Sequence, residues 1–223
     1  PKVIVIMPVF NTSPHYLKEA IDSIMVNQTY KGTIILVLID DGSTNMRTIS
    51  TLTKQGRHTL EAHRLYTARE SRPTRSTQHG HADSLRYASR FHCKNGLRRY
   101  QRHLEIETQV NFFTRNTDID IVGSNILMFN DQSRSASTCK VIGYPTLDKL
   151  IKFNMLFHCC LAHPSVMFRV SSLGNKIVYN TEDPDVRAFE DYELWLRLIH
   201  SQSPPKFANI GSVLLLHRKH GTN

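Results

Sequence analysis

Apolar residues follow two rhythms along this chain, and through one long interval they follow neither. Lys2 to Met7 (KVIVIM) and Ile34 to Ile39 (IILVLI) are unbroken aliphatic runs. Runs of that kind suit strands buried on both faces, as in a parallel sheet. Between them Leu17, Ala20, Ile21 and Ile24 recur at helical spacing. Ser13 stands where a helix is capped, and Pro14 where a missing N–H costs nothing. The spacing predicts a helix of about four turns reaching Gln28, with Lys31-Gly32 as the return turn. Strand, helix and strand form a βαβ unit whose crossover is expected to be right-handed.

Periodicity resumes in the second half. Ile106, Val110 and Phe113 predict a helix, and Ile119 to Met128 a strand interrupted at Gly123-Ser124. A polar loop is expected over Asp131 to Lys140. Leu147, Leu150, Ile151, Met155 and Leu156 predict a helix entered through Pro145-Thr146. His163 to Arg169 reads as a short strand after a loop. Ala188 to Ile199 reads as an amphipathic helix burying Leu194, Trp195 and Leu198, and Ile210 to Leu216 as a last strand.

The interval without rhythm runs from Gly56 to His103 and shows no apolar stripe at either period. Between Gly56 and Leu104, eleven Lys and Arg stand against three Asp and Glu, which accounts for nearly all of the chain's net charge of +9. Ten of those eleven are Arg, and six of the twelve histidines lie there too, whereas Lys outnumbers Arg elsewhere. One segment has a composition foreign to its own protein. A basic, aperiodic segment is expected to be an excursion from the fold that leaves the sheet without a central strand.

At 223 residues, 40% hydrophobic and 21% charged, the chain has the bulk and balance of one globular domain. No run approaches the roughly 18 apolar residues of a membrane helix, and the first residues carry no secretory signal. Cys159 and Cys160 are adjacent while Cys93 and Cys139 stand alone, so there is neither a disulfide framework nor CxxC spacing. The expectation is a reducing, cytoplasmic compartment, with the protein free or at a membrane surface.

Chemistry enters at Asp40 and Asp41, which with Gly42 and Ser43 follow the second aliphatic run. Ligand crevices of open α/β sheets lie outside the carboxyl ends of the strands. Two carboxylates there can accept hydrogen bonds from a base or ribose, or help hold a cation. The same Asp-Gly-Ser also reads as a plain turn.

Six blocks decide between these readings. IMPVFN (Ile6 to Asn11), LIDDGSTN (Leu38 to Asn45), DIDIVGS (Asp118 to Ser124), HPSVMFR (His163 to Arg169), EDYELWLRL (Glu190 to Leu198) and LLLHRKH (Leu214 to His220) occur in that order. Together they resemble the inverting family 2 glycosyltransferases. The resemblance implies an α/β, GT-A-like fold with a Rossmann-type, mostly parallel sheet flanked by helices. It also implies a single domain divided into a nucleotide-binding βαβ over 1–55, the anomalous segment over 56–104 and an acceptor and catalytic half over 105–223. Pro8, Val9, Asn11, Asp40 and Asp41 are then expected to line the nucleoside pocket of a nucleotide-sugar donor. Asp191, beside Glu190, is expected to act as general base toward a glycan or other hydroxyl acceptor; capping of the helix is the competing role. Inversion needs a single in-line displacement, so a carboxylate must face the side opposite the leaving diphosphate. A first-turn carboxylate is also favoured by the helix dipole.

His217, Arg218 and His220 resemble the basic closing motif that faces diphosphate or metal in relatives, and a solvated basic tail is nearly as good a reading. His220 is the one candidate metal ligand that the resemblance supplies. His158, Cys159, Cys160 and His163 are better explained by packing and loop ordering than by metal ligation, which needs convergent geometry.

One expected element is missing. The family holds Mn²⁺ or Mg²⁺ with an Asp-x-Asp at the end of a middle strand, where the cation offsets charge on the departing diphosphate. Asp118-Ile119-Asp120 has that spelling but opens a later strand. The position where the motif belongs falls inside the Arg/His-rich interval. Reading Phe91 to Gln101 one nucleotide out of frame, with synonymous codons free, permits F-I-A-K-M-D-S-D-D-I. Ala68 to Pro73 likewise permits R-E-N-R-G-L, and Thr77 to Gly80 permits L-N-T-G. Out-of-frame translation therefore accounts for the segment, and a chain so altered is expected to have lost activity. The alternative is a true basic insertion that makes the scaffold a non-catalytic nucleic-acid-binding module. Nucleic acid is the less favoured partner.

Overall fold

The structure, a computed structural model, describes residues 1–55, 63–69, 84–88, 99–101, 103–130, 139–180, 186 and 189–219. It begins with β1 (Lys2–Val9), α1 (Pro14–Met25), β2 (Ile34–Asp40) and α2 (Met46–Gln55). The first two strands pair in parallel from Val3↔Ile34 to Val9↔Asp40. Val3, Val5, Val9, Ile34, Leu36 and Leu38 are wholly buried, and α1 lays Leu17, Ala20, Ile21 and Ile24 over them. The alternate residues Ile35, Val37 and Ile39 are only half-buried, so one face of β2 carries more of the core than the other.

Pro14 occupies the first helical turn as expected, but the Ser13 side chain makes no capping bond. The helix also stops short of Gln28. Val26 and Asn27 both donate their N–H groups to the carbonyl of Asp22, at 3.0 and 2.9 Å, which closes the last turn. The Gln28 side chain then folds back onto the Ser23 carbonyl at 2.8 Å.

The interval without rhythm supplies three strands: β3 (His63–Arg69), β4 (Ser84–Ala88) and β5 (Arg99–Gln101). The rest follows as α3 (Glu105–Arg115), β6 (Ile121–Asn130), β7 (Lys140–Ile142), α4 (Asp148–Asn154), β8 (Met167–Arg169), α5 (Val170–Leu173), α6 (Glu190–Ile199) and β9 (Phe207–Lys219). Of the polar loop expected over Asp131 to Lys140, residues 131–138 lie outside the described residues, and Lys140 opens β7 instead. The sheet runs β3-β2-β1-β4-β8-β6-β9-β5, with β7 on the side of β6.

This order corrects one expectation. The sheet does not lack a central strand, because β4 sits between β1 and β8, parallel to the first and antiparallel to the second. Ladder pairing uses backbone N–H and C=O groups, which every non-proline residue carries. A five-residue strand between two formed neighbours therefore needs no long apolar run of its own.

Strand direction fixes where a site can form. β1, β2, β3 and β4 are mutually parallel. β6 is antiparallel to β8, which is antiparallel to β4, so β6 and its parallel partner β9 point the same way as β1. The carboxyl ends of all six define one edge. A second core of Ile121, Ile151, Met155, Phe168, Leu194, Trp195 and Phe207 packs α4 and α6 against the β6–β9 side.

Gly123 pairs with Asn209 across β6 and β9, and a methyl group there would lie 2.4 Å from Asn209 Oδ1. The Asn209 amide already donates to the carbonyls of Pro145 (2.8 Å) and Cys160 (2.9 Å), so it cannot swing aside freely. Gly123→Ala should therefore destabilise the fold by about 1–3 kcal/mol. A urea midpoint equal to wild type would show that the close approach carries no weight.

Candidate active site

Two loops at the carboxyl edge are sewn together by one asparagine. Asn11 takes a left-handed conformation at φ 47°, and its Oδ1 accepts the N–H groups of Thr44 and Asn45, each at 2.8 Å. Its own N–H donates to Ser43 Oγ at 3.0 Å. Asn is among the few residues that tolerate this conformation. The second loop turns at Gly42, φ 80°, and Asn45 caps α2 by accepting the Arg47 N–H at 2.9 Å.

The predicted nucleotide residues divide by environment. Val9 is wholly buried, and its carbonyl receives the Asp41 N–H at 2.9 Å. Pro8 is buried in β1. Asp40 is 6% exposed and accepts the Ser43 N–H at 2.9 Å, which shapes the turn. Asp41 is exposed at the loop surface. The two carboxylates thus do different things, one holding the loop and one presented outward. Sequence reading did not single out Ser43 as a partner of Asn11, because the contact joins positions 32 residues apart.

The second cluster sits on α6. Glu190 and Asp191 open this helix in its first turn and are partly buried. The helix continues to Ile199 and the chain enters β9 at Phe207, at the opposite edge of the sheet. The first turn of α6 is anchored beside the end of α4 through Tyr192 and reaches Tyr144, the residue that follows β7 and Gly143.

Asp191 lies close enough to Tyr144 and Cys159 to act on both electrostatically. Burial first, with smaller contributions from Cys159, Cys160 and Asp191, pushes the Tyr144 phenol up to about 12. Burial likewise pushes the Cys159 thiol up to about 12, with Asp191 adding to the effect. Both groups stay protonated near neutrality and so add no charge beside Asp191. Neither was recognisable from sequence as a neighbour of Asp191, since each reaches it through tertiary packing. Behind them, His163 Nε2 meets the Tyr179 hydroxyl at 2.6 Å and its ring lies 5.9 Å from that of Trp195. The Tyr192 hydroxyl donates to the Met155 carbonyl at 2.5 Å, tying α6 to the end of α4.

His217 and Arg218 end β9 at the same edge, whereas His220 lies outside the described residues. Arg218 is 7% exposed, stacks over the rings of Tyr16 (4.8 Å) and Phe129 (5.1 Å), and lies 4.0 Å from Glu19. Its cation is held beside the first turn of α1 rather than extended into solvent.

The described residues do not fit the divalent cation that the resemblance implies. Among the described residues, no group of three or more His, Cys, Asp or Glu side chains could hold a metal ion. Asp118 pairs with Lys206 at 3.0 Å, which holds its carboxyl below the usual range, and Asp120 accepts the Lys206 N–H at 2.9 Å. No Asp or Glu occurs between Ser84, where β4 begins, and Leu104. Cys159 and Cys160 donate to the carbonyls of Leu161 and His158.

The fold is that of the GT-A glycosyltransferases, and similarity to named proteins supports the same class. No family model matches the chain. The bifunctional glycosyltransferase pgtA of Dictyostelium discoideum is 26% identical over 239 residues, covering 92% of this chain and 29% of that protein. The O-antigen biosynthesis glycosyltransferase WbnJ of Escherichia coli is 29% identical over 121 residues, covering 52% of this chain and 42% of that protein. The chain thus spans less than half the length of either relative. Among solved structures, residues 1–349 of S. aureus TarS in complex with UDP-GlcNAc superimpose with a TM-score of 0.66 at 15% identity. That match covers all of this chain and 60% of the other. The mannosyltransferase PcManGT of Pyrobaculum calidifontis, in complex with GDP-Man and Mn²⁺, gives 0.55 at 11% identity over 98% of this chain and 56% of the other. The fold is therefore of GT-A type, and the relatives to which the chain is similar are named glycosyltransferases.

Proposed function

We propose that this domain transfers a sugar from a nucleotide-sugar donor to a hydroxyl acceptor with inversion, and that the chain as written is impaired in doing so. One observation carries the reading. The Asn11-stapled loops leave Asp41 exposed at the carboxyl edge of the sheet, and a part-buried first-turn carboxylate, Asp191, opens α6. In this account Asp41 and the Asn11 loop contact the nucleoside. Asp191 accepts the proton of the acceptor hydroxyl as its oxygen attacks the anomeric carbon opposite the leaving diphosphate. Tyr144 and Cys159, both protonated, add no charge beside that carboxylate. The impairment follows from the lack of any Asp or Glu between Ser84 and Leu104, for which out-of-frame translation is the proposed cause.

Calorimetry with UDP, GDP and TDP tests the donor half of the proposal. At least one nucleotide should bind weakly, and Asp41→Ala should weaken it by about tenfold, the loss expected for one charge-assisted hydrogen bond. Binding should survive an increase in salt that would abolish phosphate-backbone contacts. No nucleotide binding, together with tight, salt-sensitive binding of single-stranded RNA, would favour the nucleic-acid alternative.

A further inference from the structure

α4 and the turn after it are apolar on two faces, and only one is covered. Ile151 and Met155 are wholly buried against the second core. On the opposite side Leu147 (63% exposed), Leu150 (49%), Phe153 (60%), Leu156 (58%) and Phe157 (70%) face outward. The last two belong to a tight turn, where the N–H groups of Phe157 and His158 bond to the Asn154 carbonyl at 2.9 and 3.1 Å. The rings of Phe153 and Phe157 pack edge to face at 5.6 Å, so the ridge is preformed. No described residue covers it. Five large apolar side chains gathered on one ridge are unlike the scattered single exposures of ordinary surfaces.

We propose that this ridge inserts into the headgroup region of an anionic lipid bilayer. Lys149 is exposed on the ridge's flank and Lys152 lies next to it, held 3.0 Å from Asp148. The chain as a whole carries +9, so both the local flank and the long-range field favour a negative surface. Apolar residues on one face with lysines beside them are the pattern of interfacial helices, whose binding adds buried apolar area to attraction for anionic lipid. No helix among the described residues is long and apolar enough to cross a membrane, so the association is peripheral. The Tyr192–Met155 bond places the ridge's end against the first turn of α6. A lipid-borne acceptor would therefore arrive next to Asp191. The last point rests on the proposed transfer reaction; the lipid binding does not, because it needs neither donor nor turnover.

The test is co-sedimentation of the full chain with vesicles of phosphatidylcholine alone and of phosphatidylcholine with about one-third phosphatidylglycerol. Wild type should pellet with the anionic vesicles and far less with the neutral ones. Phe153→Ser combined with Phe157→Ser should weaken partitioning by about tenfold or more, since each ring loses its buried area. Lys149→Glu, which leaves the ridge intact, should weaken binding to the anionic vesicles alone. Circular dichroism should show both variants folded, as expected for exposed positions. Wild type remaining in the supernatant overturns the proposal. So does equal binding by the double serine variant, which would reduce the effect to net charge. Self-association abolished by the serine substitutions would assign the ridge to a second copy of the chain and would equally overturn it.

Discussion

A gene shifted by one base upstream of codon 68 and returned to frame near codon 104 is expected to yield a protein that hydrolyses a nucleotide-sugar donor, whereas the chain as written does not. The shifted reading permits three aspartates within five residues at Phe91 to Gln101, where the present sequence has Gly96, Leu97, Arg98, Arg99 and Tyr100. The present chain has no Asp or Glu anywhere between Ser84 and Leu104. Restoring the aspartates should raise turnover by roughly 10³-fold or more, because a bound cation contributes several kcal/mol of charge stabilisation. That gain should vanish when EDTA is added. Equal and substantial turnover by both proteins would show that the basic segment is a working part of the enzyme.

In the restored protein, Asp191→Asn should lower transfer by about 10²–10⁴-fold, the range of a positioned general base. Nucleotide affinity should stay unchanged, because Asp191 lies with Tyr144 and Cys159 rather than with the Asn11 loop. The competing role is capping: Asp191 Oδ1 accepts the Tyr192 N–H at 2.8 Å. Asn can still accept that bond, so a capping residue would tolerate the change with little loss in rate. A variant that keeps most of its turnover assigns Asp191 to the helix. A variant that loses turnover while its thermal midpoint stays near wild type assigns it to the acceptor.

The legible parts of this fold were the locally encoded ones. β1, α1 and β2 declare themselves through aliphatic runs and a helical stripe, and Leu194, Trp195 and Leu198 mark the buried face of α6 before any packing is known. What stayed hidden depends on distant partners. β4 is a strand because β1 and β8 flank it, not because Ser84–Ala88 forms a strong apolar pattern. Asn11 earns its place through Thr44 and Asn45 on another loop, and its left-handed backbone leaves no mark in the sequence. The carboxylates were found as letters, but their division into a loop-shaping Asp40 and an outward Asp41 needed burial and hydrogen bonds. Tyr144 and Cys159 come within reach of Asp191 from different segments, so no local motif could announce them.

We propose that the segment between β4 and α3 of this GT-A fold has been read out of frame. The nucleotide sequence of the gene across codons 56 to 106 tests it most directly. The shifted frame should be open throughout and should spell a phrase close to F-I-A-K-M-D-S-D-D-I over codons 91 to 101. A stop codon in that frame, or a phrase without paired aspartates, would contradict it.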